Sequence, residues 1–296
     1  MDNLHNTMYN ENNTVTVILT VWKRNHLEEQ IESMLSQTVT PNAIWVYQCK
    51  NYVDVSATLA KFPFVEHLHS SVDLKYFGRF SLARYVKTNY VWILDDDVIP
   101  SSNWLIKSLQ LCEKENAIIS SAGRIIPKGD YFPERLENVN QFFFGDVPRQ
   151  GSQNLCFKNT VVDFGCNGWL FKRQWLDYFW SASPFTLETA EDMHLSAMCK
   201  IKAGIRTIVP KQTSEETSGN LKIQYGLDEY ASWLRGGFFD ERNEVLHYLI
   251  DHLAWRPLLW ERNLKKEVYR FTLQSIKLGR QVLKKIRAIL IAFSTR

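Results

Sequence analysis

Between residues 15 and 94 short apolar runs alternate with segments whose apolar residues recur at helical spacing, and this alternation is the strongest constraint on the fold. Val15 to Val21 (VTVILTV) reads as a buried strand. Over His26 to Gln37, Leu27, Ile31, Met34 and Leu35 fall at helical spacing, and after Pro41-Asn42 a second strand is expected at Ala43 to Gln48. A third is expected at Phe64 to His69, followed by an irregular KYFGRF segment and a helix over Ser81 to Lys87. Tyr90 to Leu94 (YVWIL) is the fourth. Strands joined through helices lie parallel, so this half of the chain predicts an α/β fold with a sheet covered on both faces.

The fourth strand runs straight into Asp95, Asp96 and Asp97. Carboxylates packed at a strand end repel one another and raise each other's pKa unless a cation sits among them. Read as extended chain, Asp95 and Asp97 point to the same side. Ligands of open α/β sheets gather at the C-terminal ends of strands, and a hard divalent ion takes oxygen ligands. On these three residues alone, a solvated acidic turn without a ligand is an equal alternative. Beyond them a helix is expected at Asn103 to Lys114 with Ser101 or Ser102 as N-cap, then a strand at Ala117 to Ala122. Gly123 to Asn159 has no clear period and reads as loops and short strands lining a site. Val161 to Phe171 holds two glycines among apolar residues, the mark of a bulge or a close backbone approach. Arg173 to Trp180 reads as helical. A second acidic cluster, Glu188, Glu191 and Asp192, leads into a helix with Leu195, Met198, Cys199 and Ile201 on its buried side. Arg206 to Val209 is a short strand, and Lys211 to Asn220 is polar and expected to be mobile.

A chain of 296 residues can bury one large core or two modest ones. Its net charge of +3 is unevenly placed, because basic residues crowd the stretch after Glu261 and leave the body mildly acidic. The five cysteines are widely spaced and form no CxxC, which argues against a disulfide framework or a zinc site and suits a reducing compartment. The first residues (MDNLHNTMYNENN) lack the build of a signal peptide, and no run is apolar enough to span a bilayer, so a cytoplasmic location is expected. No nucleic-acid partner is expected. From Ser275 to Phe293, Ile276, Leu283, Ile286, Leu290 and Phe293 share one helical face with basic residues mostly elsewhere. Such a helix can lie on an anionic membrane surface, or dock on its own domain or a second subunit.

Four segments taken in order resemble the GT-A nucleotide-sugar glycosyltransferases, most closely glycosyltransferase family 2. VILTVWKRNHLEEQIESMLSQT is similar to the family's first strand and helix, TNYVWILDDDVIP to its DxD strand, FGCNGWLFKR to its acceptor-side segment, and AEDMHLSAMCKIKAG to its ED-x-x-L helix ending in Ala-Gly. The resemblance spans Val15 to Pro210. Gly78-Arg79-Phe80 also resembles the exostosin-like transferases, which retain anomeric configuration. The implied fold is GT-A, a Rossmann-like, mostly parallel sheet flanked by helices, with a C-terminal helical extension. The implied organisation is a polar segment at 1–14, a nucleotide-sugar half at 15–110, an acceptor and catalytic half at 111–240, and a basic helical extension at 241–296.

The resemblance also implies a chemistry: metal-dependent transfer of a sugar from a UDP-, GDP- or dTDP-sugar to a glycan, lipid-linked or protein acceptor, with inversion. Mn²⁺ or Mg²⁺ would be held by Asp97, with Asp95 as the second metal candidate, and Asp95 and Asp96 would hold the ribose or metal-bound water. Asp192 would be the base, with Glu191 as its rival; an acidic pair at a helix N-terminus also serves as dipole complementation. Thr20, Trp22, Arg24, Gln48, Asn51 and Arg79 stand in loops that converge where the nucleotide should lie. On the acceptor side the candidates are Trp169, Trp233 and Arg235, the last two in SWLRGGFF, which has the look of a lid. A retaining transferase and a non-catalytic carbohydrate- or nucleotide-binding module are the other readings.

Overall fold

The computed structural model describes residues 13–132, 143–145 and 156–260. The expected tail helix from Ser275 to Phe293, residues 1–12 and much of the irregular stretch after Gly123 lie outside the described residues. The compact unit that carries the sheet runs to Leu258.

Strands β1 (Val15–Val21), β2 (Ala43–Cys49), β3 (Glu66–Ser70) and β4 (Tyr90–Leu94) pair in parallel, in the spatial order β3-β2-β1-β4. Between them run α1 (Leu27–Leu35), α2 (Ser56–Lys61) and α3 (Gly78–Leu82). All of β4 and nearly all of β1 is buried, as strands covered on both faces must be. The GRF segment, expected to be irregular, forms α3, and a 3-10 turn at Ala83–Tyr85 takes up the rest of the expected helix.

Beyond β4 the sheet changes character. α4 (Trp104–Glu115) leads to β5 (Ile118–Arg124), but β8 (Phe164–Lys172) inserts between β4 and β5, antiparallel to both. β9 (Thr207–Val209) pairs parallel with β5, β7 (Thr160–Val162) pairs antiparallel with β9, and β6 (Phe143–Gly145) pairs with β5. Four parallel strands thus continue into a mixed half. The two glycines of β8 do what their setting predicts: a Cβ on Gly165 would lie 2.3 Å from Ser120 Oγ, and the β5–β8 register shifts between Ser120 and Ala122. α5 (Leu176–Phe179), α6 (Glu191–Ala203) and α7 (Phe238–Asp251) complete the fold. Neither Ser101 nor Ser102 caps α4, because Asn103 holds the cap position without a side-chain bond and Ser101 Oγ donates instead to the Glu216 carbonyl at 3.0 Å. Among the described residues, no helix is long and apolar enough to cross a membrane.

Candidate active site

A cavity of about 430 Å³ opens at the C-terminal ends of β1, β2 and β4. The chain leaves β4 at Leu94 and turns at Asp95–Asp97, with the Val98 N–H donating to the Asp95 carbonyl at 3.3 Å. The two-residue alternation expected to set Asp95 and Asp97 apart from Asp96 stops where the strand stops. All three aspartates line the cavity. The turn is fixed from outside by backbone-directed bonds. Gln30 of α1 donates to the Asp95 and Val98 carbonyls at 2.7 and 3.2 Å, the Asp95 N–H donates to the Asn167 carbonyl at 2.9 Å, and Asn220 donates to the Asp97 carbonyl at 3.3 Å.

Two buried arginines face these carboxylates. Arg24 donates from Nη1 to Asp96 at 2.7 Å, stands 3.3 Å from Asp97, and grips Asp228 through Nε and Nη2 at 2.8 and 2.7 Å. Burial disfavours its charge, but Asp228, Asp96 and Asp97 outweigh that and hold the guanidinium above its ordinary value. Arg79 donates to Asp95 from Nη1 and to Glu191 from Nη2, the latter at 2.7 Å. Even so, negative charge exceeds positive. Burial pushes Asp95 up to about 7 against the pull of Arg79, and burial with the Asp96 charge pushes Asp97 up to about 6. Asp96 Oδ2 and Thr20 Oγ1 are buried with no partner among the described residues.

These features fit a small hard cation. Among the described residues no three His, Cys, Asp or Glu side chains gather into a ready cage. An ion such as Mg²⁺ takes one or two carboxylates and completes its shell with phosphate oxygens and water, and Asp95 and Asp97 could supply those carboxylates.

The segment after Asn220 walls the cavity with Ile223, Gly226, Leu227, Tyr230, Trp233 and Arg235. It is pinned to α1: the Tyr225 ring stacks on His26 at 3.7 Å and its hydroxyl donates to Glu29 at 2.7 Å. Gly226 passes so close to the acidic turn that a Cβ there would sit 2.6 Å from Asp97 Oδ2. Arg235 is itself paired with Glu241, at 2.8 Å from Nη1.

Of the residues singled out by sequence, Thr20, Trp22, Arg24, Arg79, Asp95, Asp96, Asp97, Trp233 and Arg235 come together around this cavity. Others do not. Gln48 lies inside the fold, donating to the Val53 carbonyl at 2.7 Å and meeting His67 at 2.9 Å, and Asn51 is exposed on the following turn, outside the cavity wall. Trp169 is only 1% exposed, with Nε1 bonded to the Gly165 carbonyl and the Arg79 guanidinium 5.0 Å from its ring centroid, so it is core beneath the site rather than an acceptor surface. Arg79, expected in the nucleotide site, is committed to two carboxylates. Glu191 and Asp192 stand buried at the start of α6, outside the cavity lining. Glu191 meets Arg79, and burial with the Asp192 charge pushes it up to about 7. Asp192 accepts from Arg242 Nη2 at 2.7 and 2.8 Å.

Sequence reasoning missed Tyr47, Asp73, Asn167, Asn220, Asp228 and Arg242. Asp73 lines the cavity beside Tyr47 and Cys49, whereas Asp54, on the loop after β2, accepts from Ser56 N at the start of α2. Asn167 had a usable signal, its place in a Gly-Cys-Asn-Gly run: its φ of 68° is a left-handed conformation that Asn tolerates better than most residues.

The sequence profile described as glycosyl transferase family 2 matches residues 16–180, more than half of the chain. The chain belongs to glycosyl transferase family 2. Among solved structures it is similar to the crystal structure of S. aureus TarS, at 12% identity and a TM-score of 0.45, over 68% of this chain and 36% of that one. A second likeness is to TarS 1-349 from S. aureus, at 12% identity and a TM-score of 0.46, over 68% of this chain and 59% of that one. This family 2 chain therefore matches about a third of the length of the first structure. No curated protein sequence matches it.

Proposed function

We propose that this family 2 chain transfers a sugar from a nucleoside-diphosphate sugar to a hydroxyl of a glycan, lipid-linked or protein acceptor, with inversion and with Mn²⁺ or Mg²⁺. The observation that carries the reading is the acidic turn, with three aspartates in one cavity at the C-terminal strand ends and the Asp96 Oδ2 oxygen buried without a partner. Asp97 and Asp95 would hold the ion. The chemistry it supplies when bound is neutralisation of charge on the departing diphosphate.

The protein's own groups do the rest. Arg24 holds Asp96 and Asp228 together across the cavity, and Trp22 offers a ring wall for a nucleobase. Asp73 is an acceptor-only group when ionised, so it suits a base that presents an N–H donor at its edge. The ring N–H of uracil, thymine or guanine is such a donor, in keeping with a UDP-, dTDP- or GDP-sugar. Trp233, half exposed, and Arg235 form the acceptor-side wall. In the transfer the acceptor oxygen bonds to the anomeric carbon, the bond from that carbon to the diphosphate breaks, and the hydroxyl proton passes to Asp192. Glu191 is the rival base, favoured by its link through Arg79 to Asp95 and by its raised pKa.

Incubation with UDP-, GDP- and dTDP-sugars and Mn²⁺, followed through nucleotide release, tests the reading. Release from at least one donor, abolished in Asp97→Ala and in Asp192→Asn, is expected. An inactive wild type on every donor would instead favour a binding module, and activity in Asp192→Asn with loss in Glu191→Gln would transfer the base to Glu191. NMR of the product's anomeric configuration separates inversion from retention.

A further inference from the structure

We infer that Arg242 is a positioning residue for Asp192, an inference that rests on Asp192 being the base. The two side chains come from different helices, α6 and α7, and meet where both are buried, at 7% and 5% exposure. One nitrogen, Arg242 Nη2, donates to both carboxylate oxygens, at 2.7 Å to Oδ1 and 2.8 Å to Oδ2. Oδ1 also accepts the Met193 N–H at 2.7 Å. Among the described residues Oδ2 accepts from Nη2 alone, so it is the oxygen with acceptor capacity left for a hydroxyl proton.

The guanidinium is held on its other sides by rings. Its carbon lies 4.9 Å from the Tyr131 ring centroid and 5.3 Å from those of Phe164 and Phe238, and Nε is buried without a hydrogen-bond partner among the described residues. A cation caged this way has few rotamers, so it fixes the carboxylate it touches. It also supplies the charge that the crowding of acids requires. Glu191 is adjacent in α6 and takes its counter-ion from Arg79, leaving Arg242 for Asp192. The other ionisable groups facing the pair are Tyr131, Arg124 of β5 and Cys166 of β8, with Asp95 beyond Cys166. α7 starts only a few residues after Arg235 in the cavity wall, so the helix that aims the base is continuous with the segment that covers the acceptor side.

A buried carboxylate stripped of its counter-ion takes up a proton more readily, and a mis-set base slows transfer by about a hundredfold. The test uses the full chain and the donor that releases most nucleotide in the UDP-, GDP- and dTDP-sugar panel. In Arg242→Gln, kcat is expected to fall by about a hundredfold with donor KM within about twofold, and the acid limb of the pH profile of kcat to move up by about one unit. Arg242→Lys restores part of kcat and returns the limb. A second measurement needs no substrate: melting temperatures at pH 5.5 and 8 for wild type, Arg242→Gln, Asp192→Asn and the double variant. Arg242→Gln should melt lower than wild type at both pH values, but its change from pH 8 to pH 5.5 should be more favourable than that of wild type by a few degrees, and the double variant should not show this difference. An unmoved acid limb, or the same pH response in Arg242→Gln and the double variant, overturns the inference. Full activity of Asp192→Asn overturns the base assignment instead, and the two failures are thereby told apart.

Discussion

The two acidic clusters of this molecule are built in opposite ways. Asp95, Asp96 and Asp97 sit on a turn at the cavity and share Arg24 and Arg79 with Asp228 and Glu191; burial and the neighbouring carboxylates push Asp95 and Asp97 toward neutrality against those arginines, and one Asp96 oxygen has no partner among the described residues. Glu191 and Asp192 sit at a helix start under cover, where Asp192 is matched to Arg242 and Glu191 takes one nitrogen of the Arg79 that also meets Asp95. Acidic groups outnumber basic ones in the first cluster. In the second, Asp192 has its charge answered by Arg242. Under the proposed function, the contrast is that between a site that would receive a cation with its diphosphate and a site that would hold a proton acceptor still.

The largest expected effect falls on the open side. Asp97→Ala should lower nucleotide release by about a thousandfold, on the order of 4 kcal/mol, while leaving the urea midpoint little changed. A variant as active as wild type would end the distinction between the clusters. The sealed side should instead appear in stability. His194, in the same helix as Asp192, is buried against the Phe179 carbonyl at 2.9 Å, and burial pushes it down to about 4. Its native state favours the neutral ring, so the stability it supports is complete above pH 6.5 and is lost as pH falls toward 4. Between pH 7.5 and 5, wild type should therefore lose about 2 kcal/mol of stability to urea relative to His194→Gln, a comparison that cancels the opposite pH dependence of the raised Asp95, Asp97 and Glu191. A difference flat across that range would contradict a sealed helix start.

Smaller effects probe the wall of the open site. Gly226→Ala would set a Cβ against the Asp97 carboxylate, and about 1–3 kcal/mol of overpacking should show as a donor KM about tenfold higher or more. An unchanged KM would mean that the segment stands off the turn when donor is bound. Asp228→Asn removes the charge of a partly exposed partner of Arg24 and should cost less than about 1 kcal/mol, read as a KM change of a few-fold. A change comparable to that of Asp97→Ala would make Asp228 part of the metal cluster.

What was legible in the sequence was local. β1, β4 and α6 announce themselves through apolar runs or helical spacing, and the DDD turn through its own improbability. α2 was not legible, since its six residues bury only Thr58 and carry no period. Pairings distant in sequence were equally silent. Nothing near Gly78-Arg79-Phe80 says that Arg79 will meet a glutamate at position 191, or that β8 will come back antiparallel between β4 and β5. Gln48, expected at the nucleotide, and Gln212 and Asn220, in a polar stretch, share one feature that the sequence hides: their hydrogen-bond partners are within the fold. Gln212 donates to the Ser121 carbonyl and accepts from Gly219 N, and Asn220 bonds the backbone on either side of Val98, all under cover. Arg242 lay beyond the segments that carry the resemblance, where the sequence offered only the start of a helical extension.

The central claim is that the acidic turn receives a divalent ion and a nucleoside diphosphate together. Melting temperatures with Mn²⁺, with UDP or GDP, and with both test it most directly. Ligand at about a hundred times its Kd stabilises by about 2.7 kcal/mol, enough to raise the melting temperature by a few degrees. The expected result is a rise with ion and nucleotide together that exceeds the sum of the separate rises and disappears in Asp97→Ala. A nucleotide shift of the same size with and without Mn²⁺, or one that survives in Asp97→Ala, would contradict it.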